Sequence, residues 1–226
     1  MPGPWVFVDD VEHPTLSAGD RHHLERVRRV RPGDDVVVSD GAGRWREGTL
    51  GAAGAVDPTG DVQSTALRSP TITVAFALTK GERPELAVQK LTELGVDVIV
   101  PFTAARSVVR WDEARADGNV DRLRRVAREA AMQCRRAWLP TVADLARFAD
   151  VAALPSAALA DGGGGVPSLD RPTLLIGPEG GWSDEERGCG LPTVALGPHV
   201  LRAETAAITA AALLSALRER LLSPGR

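Results

Sequence analysis

From residue 71 onward, short aliphatic and β-branched runs alternate with segments of helical periodicity, and this alternation restricts the chain more than any other feature. Residues 71–78 and 96–102 read as buried strands, the second with Pro101 at its end. Between them, residues 84–94 form a helix: Pro84 suits the first helical position, Ala87, Leu91 and Leu94 share a face, and Gly95 ends it. Residues 119–137 form a long helix with Leu123, Val126, Ala130 and Cys134 on one face. Residues 157–160 make a short strand, and Asp161 with the four glycines after it reads as a flexible loop. Residues 173–176 and 193–196 are further strands. Ser183 and Glu186 have the spacing of a capping box that starts a short helix over 183–187. The last helix spans 206–222, with Thr205 as its cap. Alternation of this kind implies an α/β domain with a largely parallel sheet.

Residues 1–68 have a different rhythm. Strands at 5–8, 35–38 and 44–50 are separated by the turn sequences Arg31-Pro32-Gly33-Asp34 and Asp40-Gly41-Ala42-Gly43. Leu24, Val27 and Val30 recur at helical spacing, so residues 18–30 predict an amphipathic helix. Residues 51–70 read as a linker plus one last strand. Short strands with frequent turns suggest a small β-barrel. The boundary falls near Arg68-Ser69-Pro70, which gives domains at 1–68 and 69–226.

Composition excludes several classes. A formal net charge of −3 rules out a uniformly basic nucleic-acid binder, though not a local basic patch. Aromatic residues make up 4% with no Tyr, too few for a base-stacking platform. Cys134 and Cys189 form no CxxC pair, so they read as reduced thiols and no metal site is expected. Neither a signal peptide nor an apolar stretch of the roughly 18–20 residues that span a membrane is found, so the expectation is a soluble cytoplasmic protein.

The sharpest local feature is Leu174-Leu175-Ile176-Gly177-Pro178-Glu179-Gly180-Gly181-Trp182-Ser183. A buried strand ends in a loop with three glycines, and a helix follows. Ligands of open α/β sheets sit beyond the carboxyl ends of strands, where glycines admit close approach to the backbone. The spacing matches neither G-x-G-x-x-G nor a P-loop. A second strand end repeats the layout, from Leu196-Gly197-Pro198 through Leu201-Arg202-Ala203-Glu204-Thr205-Ala206. A third cluster is basic. Arg122, Arg124, Arg125, Arg128, Arg135 and Arg136 share one segment with Gln133, and Arg21, Arg26, Arg28, Arg29 and Arg31 share another. Arginine is the preferred fork for phosphate oxygens, so both segments are RNA-binding candidates.

These blocks together resemble the ribosomal RNA small-subunit methyltransferase E family, the 16S rRNA uridine-N3 methyltransferases of the knotted SPOUT class. The resemblance spans nearly the whole chain. It is carried by His22-His23-Leu24 through Arg31-Pro32-Gly33-Asp34, by Lys80 and Gln89-Lys90-Leu91-Thr92-Glu93-Leu94-Gly95-Val96, and by Arg106-Ser107. Gln133-Cys134-Arg135-Arg136 with Pro140 and the two glycine-bearing loops complete it. Ala105 and Met132 depart from the pattern, which has glutamate at both places.

The resemblance implies an N-terminal PUA-like β-barrel and a SPOUT-type knotted α/β domain with a C-terminal trefoil knot. It also implies a homodimer, with 16S rRNA in the assembled small subunit as partner and no membrane or metal involved. The implied cofactor is S-adenosylmethionine, held by Leu78, Thr79, Gly177, Pro178, Glu179, Gly180, Gly181, Leu196, Gly197, Leu201, Thr205 and Ala206. Arg202 is the candidate for stabilising the uridinate anion or an adjacent phosphate, and Glu204 for positioning a base or accepting a proton. RNA contacts are assigned to Arg21, Arg26, Arg28, Arg29, Arg106, Gln133, Arg135 and Arg136. The small residues Ala207, Ala210, Ala211 and Leu214 of the last helix offer close helix approach at a dimer interface. Two alternatives stand beside this: a SPOUT methyltransferase acting on tRNA or another rRNA site, and a non-catalytic RNA-binding ribosome-assembly factor.

Overall fold

A computed structural model describes residues 3–22, 24 and 29–222. Arg26 and Arg28, assigned above to RNA, lie outside the described residues, as does Val27 of the expected helix. The chain forms two units, Met1–Leu67 with Arg128–Leu139, and Arg68–Ala127 with Pro140–Arg226.

The first unit is a five-stranded sheet. Strands β1 (Trp5–Phe7), β2 (Asp35–Ser39), β3 (Arg44–Leu50) and β4 (Val56–Pro58) lie in that order, and β5 (Gln63–Ser64) pairs with the start of β3. β1 runs parallel to β2, and the remaining pairs are antiparallel. Helix α1 covers Ala18–His22 of the expected 18–30 segment, and Leu24 and Val30 are buried as that pattern requires; residues 23 and 25–28 lie outside the described residues. The unit does not close at residue 67, because its core includes Ala131 and Met132 beside Val6, Phe7, Leu24 and Val38. Arg128 ties this segment in. Its Nη2 donates to the Asp20 carboxylate and to the Phe7 carbonyl, both at 2.9 Å, and its guanidinium lies 5.2 Å from the Phe7 ring centroid. That side chain therefore has a structural role in place of a phosphate contact.

The second unit is built on seven parallel strands in the order β12-β10-β11-β6-β7-β8, with β9 also on β7. They are β6 (Thr73–Ala77), β7 (Val98–Thr103), β8 (Thr141–Val142), β9 (Ala146–Arg147), β10 (Ala157–Gly165), β11 (Thr173–Ile176) and β12 (Thr193–Val194). All of β6 and β11 is buried, as expected of parallel strands covered on both faces. The two-residue alternation assigns Val74 and Phe76 to one apolar cluster, and Ala75 and Ala77 to the other. Helices α2 (Arg83–Glu93), α3 (Glu113–Gln133) and α6 (Ala203–Arg218) accompany the sheet, with short helices α4 (Phe148–Ala152) and α5 (Asp184–Arg187).

Four sequence expectations are corrected. Pro101 lies inside β7, not at its end. Val98 donates to Ile72 and Phe102 accepts from Leu78, so even positions of β7 bond to its β6 side. The carbonyls of Asp97 and Ile99 accept from Thr141 and Ala143 on the other side. The missing Pro101 N–H therefore faces outward, at the gap between β8, paired with residues 98–99, and β9, paired with 102–103. The glycine run is the end of β10, not a loop. A Cβ at Gly164 would lie 2.5 Å from the Thr193 carbonyl carbon, so only glycine lets the strands approach there. Helix α6 starts at Ala203 with Arg202 at its N-cap, which leaves Thr205 inside the first turn. Ala207, Ala210, Ala211 and Leu214 are fully buried in this unit's own core, so they do not form a surface for a second copy.

The C-terminal end of α6 is fixed by Arg218. Its guanidinium pairs with Asp97 and donates to the Gly95 carbonyl at 2.7 Å, with the two charged side chains only 5% and 10% exposed. Asp97 also accepts the Ile72 N–H at 2.8 Å. Removing one partner of a buried ion pair leaves the other charge uncompensated. Arg218→Ala should lower the unfolding free energy by about 3–5 kcal/mol, read by urea denaturation.

Candidate active site

Strands β10, β11 and β12 run parallel, so their carboxyl ends share one edge of the second unit. A cavity of about 370 Å³ opens there, within the usual range for small-molecule sites. Gly177, Pro178, Glu179 and Gly181 line it from the loop after β11, Leu196, Gly197 and Leu201 from the loop after β12, and Ala206 from the first turn of α6. The two loops singled out in the sequence therefore meet at one pocket.

The remaining assigned residues do not line it. Leu78 and Thr79 are buried just beyond β6, Thr205 is exposed on α6, and Gly180 packs against Arg106. Arg202 is exposed at the N-cap of α6, between the lining residues Leu201 and Ala203. Glu204 is nearly buried, with its side chain 12% exposed. Sequence reasoning missed Asp161, Gly162 and Gly163 from β10, and also Trp182 and Val200; it placed His199 in the pocket loop without assigning it a role, and His199 lines the cavity. The signal for the first three was present. A third strand ends in glycines, and a parallel sheet brings strand ends to one edge.

Trp182 shapes the first loop. Its indole is buried, stacks on Phe102 at an interplanar angle of 9°, meets Phe148 at 5.7 Å, and donates from Nε1 to the Ala160 carbonyl at 3.0 Å. A Cβ on Gly177 would sit 3.0 Å from the indole Cε2, so the strand end passes over the ring without room for a side chain. The Gly181 N–H closes a turn on the Pro178 carbonyl at 2.8 Å, and its φ of 70° lies in the left-handed region that favours glycine.

Arg83, at the start of α2, links the loop after β11 to the first turn of α6 electrostatically. Its Nη1 lies 2.8 Å from Glu179 Oε1 and its Nε lies 3.7 Å from Glu204 Oε1. Glu204 Oε2 is shielded from solvent and accepts no hydrogen bond among the described residues. An acceptor left open in this way suits a ligand or substrate donor.

The arginines of α3 are mostly engaged within the protein. Arg122 pairs with Glu85 at 3.1 Å. Arg124 donates to Asp144 and Asp121, and these hydrogen bonds raise its pKa. Gln133 and Arg135 are exposed, Arg135 with a φ of 61° just past the helix, and Arg136 is half-buried. These three belong to the first unit with Arg21 and Arg29, whereas exposed Arg106 belongs to the second. Among the described residues, no group of three or more His, Cys, Asp or Glu side chains is arranged to hold a metal, and no helix is long and apolar enough to cross a membrane. Both cysteines are free thiols.

Comparison with known proteins agrees with this geometry. The RNA methyltransferase domain family matches residues 67–215, and the RNA methyltransferase PUA domain matches residues 16–55. Ribosomal RNA small subunit methyltransferase E of Mycobacterium bovis is 34% identical over 224 residues, covering 88% of this chain and 84% of its own length. The chain belongs to the ribosomal RNA small subunit methyltransferase E family. A methyltransferase of Legionella pneumophila, solved with bound SAM, is 28% identical with a TM-score of 0.82, covering 96% of this chain and 98% of its own. The small subunit methyltransferase E of Neisseria gonorrhoeae, solved with S-adenosyl methionine, is 26% identical with a TM-score of 0.81, covering 95% and 98%.

In this member of the family the indole of Trp182 is the floor on which the first loop rests. Trp182→Ala should cost about 3–5 kcal/mol of stability, as large-to-small changes of buried aromatics do. Equilibrium denaturation monitored by far-UV circular dichroism checks it.

Proposed function

We propose that this chain transfers a methyl group from S-adenosylmethionine to N3 of a uridine in 16S rRNA, as a homodimer acting on the assembled small subunit. One observation carries it: the two glycine-bearing strand ends of a methyltransferase-family chain enclose a single cavity at the carboxyl edge of a parallel sheet. The cavity suits the cofactor, because glycines expose backbone N–H and C=O groups while Ile176, Leu196 and Leu201 supply apolar walls. After β11 the chain crosses β10 and adds β12 on the far side of it, which supports a trefoil knot in this part of the chain.

S-adenosylmethionine, when bound, supplies an electrophilic methyl group. The protein's work lies on the uridine side. N3 of uridine carries a proton and becomes nucleophilic only as that proton leaves, so the site must stabilise a developing anion. Arg202 stands at the N-cap of α6, where its guanidinium and the positive end of the helix act in the same direction. Glu204, anchored through Oε1 by Arg83, keeps Oε2 open as an acceptor for a proton or for a hydrogen bond that orients the base. Leu78, Thr79 and Thr205 stand outside the cavity lining.

Residues 1–68, completed by Arg128–Leu139, serve as the PUA-like RNA-binding domain and the rest of 69–226 as the methyltransferase domain, with Arg21, Arg29, Arg106, Gln133, Arg135 and Arg136 contacting RNA. Phosphate contacts of this kind release counterions, so binding weakens steeply with salt.

The test is methylation of small ribosomal subunits with isotope-labelled S-adenosylmethionine, followed by nucleoside mass spectrometry. Labelled 3-methyluridine is expected. A label on another nucleoside refutes the N3 assignment, and no cofactor binding by calorimetry favours an assembly factor. Ala206→Phe places a ring in the cavity and should weaken cofactor binding by at least about tenfold, measured in the same calorimeter. Arg202→Ala should leave small-subunit binding within a factor of about two but lower single-turnover methylation by about 100-fold, the scale for losing one donor to a developing anion.

A further inference from the structure

Glu186 is an ionisable side chain that is 4% exposed, and nothing in the reaction above uses it. Each carboxylate oxygen accepts one backbone N–H. Oε2 takes the N–H of Ser183, 2.9 Å away, and so completes the capping box of α5 just after the glycine loop. Oε1 takes the N–H of Ala105, 2.8 Å away and 81 positions distant in sequence. A capping box requires only the first of these bonds. The second reaches into the turn that follows β7.

That turn carries Arg106. It is closed by the Ser107 N–H on the Ala104 carbonyl at 3.1 Å and by the Ala104 N–H on Ser107 Oγ at 3.0 Å. On its other flank it lies against the glycine loop. A Cβ on Gly180 would meet Arg106 Cβ at 3.2 Å and the Arg106 carbonyl oxygen at 3.3 Å, and Arg106 Nη1 lies 3.4 Å from the Gly180 carbonyl oxygen. The turn therefore touches the cofactor loop at one side, and a buried carboxylate from the helix after that loop holds it by the backbone.

We propose that Glu186 is a positioning residue for RNA: it fixes the 104–107 turn to the loop 177–183, and thereby sets where Arg106 presents its guanidinium beside the cofactor pocket. The proposal rests on the assignment of Arg106 to RNA and of the glycine loop to the cofactor. Glu186 touches neither ligand. Its effect passes through Arg106, so it belongs in the affinity for the ribosomal particle and not in cofactor affinity. A hydrogen bond between a buried carboxylate and a backbone N–H is one of the stronger kinds, and an N–H left without its acceptor carries a desolvation cost. Without Glu186 the turn has reason to move, and Arg106 moves with it.

The experiment is a double-mutant cycle read in steady-state methylation of small subunits, with S-adenosylmethionine affinity measured separately. Glu186→Gln keeps the shape of the side chain but turns one acceptor oxygen into an amide donor. It should raise KM for small subunits about tenfold while the cofactor Kd stays within about twofold. Arg106→Ala should raise KM to a similar degree. The two changes together should be no worse than Arg106→Ala alone, because they remove the same contact. Ser183→Ala removes the cap acceptor for the Glu186 N–H but leaves the Ala105 bond, and should leave KM within about twofold. If Glu186→Gln fails to fold, Gly180→Ala probes the same contact from the other side, and its effect on KM should likewise vanish in the Arg106→Ala background.

Additive effects of either variant with Arg106→Ala overturn the proposal, as does a folded Glu186→Gln protein with an unchanged KM. A rise in cofactor Kd equal to the rise in KM also overturns it, since the residue would then serve the pocket. Failure of the underlying assignment looks different: the unaltered protein itself would not methylate small subunits, or Arg106→Ala alone would leave KM unchanged.

Discussion

Parallel pairing is the constraint on which the pocket depends. Strands that run the same way cannot be joined by hairpins, so the chain returns after each to start again at the opposite edge. β10, β11 and β12 consequently release their chain at one edge, and the segments that follow them have no choice but to gather there. The cavity is a by-product of that geometry. What the sequence adds is material that keeps it open: glycines where walls approach closely, and aliphatic side chains where they do not.

Loops rich in glycine need stiffening from outside, because glycine gives up more conformational freedom on ordering than any other residue. Three side chains supply it here. Trp182 lies under the strand end and hands its indole N–H to β10. Arg83 spans the gap between a carboxylate on the first loop and one on the first turn of α6. Glu186 binds backbone on both the loop and the neighbouring turn. The exposed carboxylate–guanidinium contact at Glu179 contributes little by itself in water, whereas the buried contacts are protected from screening. The rigidity of the site is concentrated at its base, and the rim, with Val200 fully exposed, is left comparatively unconstrained.

Much of this was legible from residues alone. Burial follows periodicity, so β6, β11 and the apolar face of α2 were visible as patterns, and the Ser183–Glu186 cap was visible as a spacing. Most of the misreadings share a cause, a partner distant in sequence. The run 162–165 looks like a linker until Thr193 is placed against Gly164. Thr205 looks like a cap until the turn before it proves helical, and Gly180 looks like a ligand contact until Arg106 occupies its flank. The arginines of α3 look like a phosphate-binding face until Glu85, Asp144 and Asp20 are found beside them. Ala105 looks like a lost carboxylate until Glu186 supplies one to its backbone.

The inclusion of Arg128–Leu139 in the N-terminal unit also bears on how the molecule is made. Chains emerge from the ribosome in order, and most domains close as soon as their last residue is free. This one cannot, because Ala131 and Met132 of its core are synthesised after most of the central sheet's first strands. At about 5–20 residues per second, several seconds separate the appearance of β5 from that of the segment that completes its unit. During that interval the N-terminal sheet lacks Ala131 and Met132 from its core and the Arg128 guanidinium from the Phe7 ring, so translation speed sets how long the unit waits for its last segment.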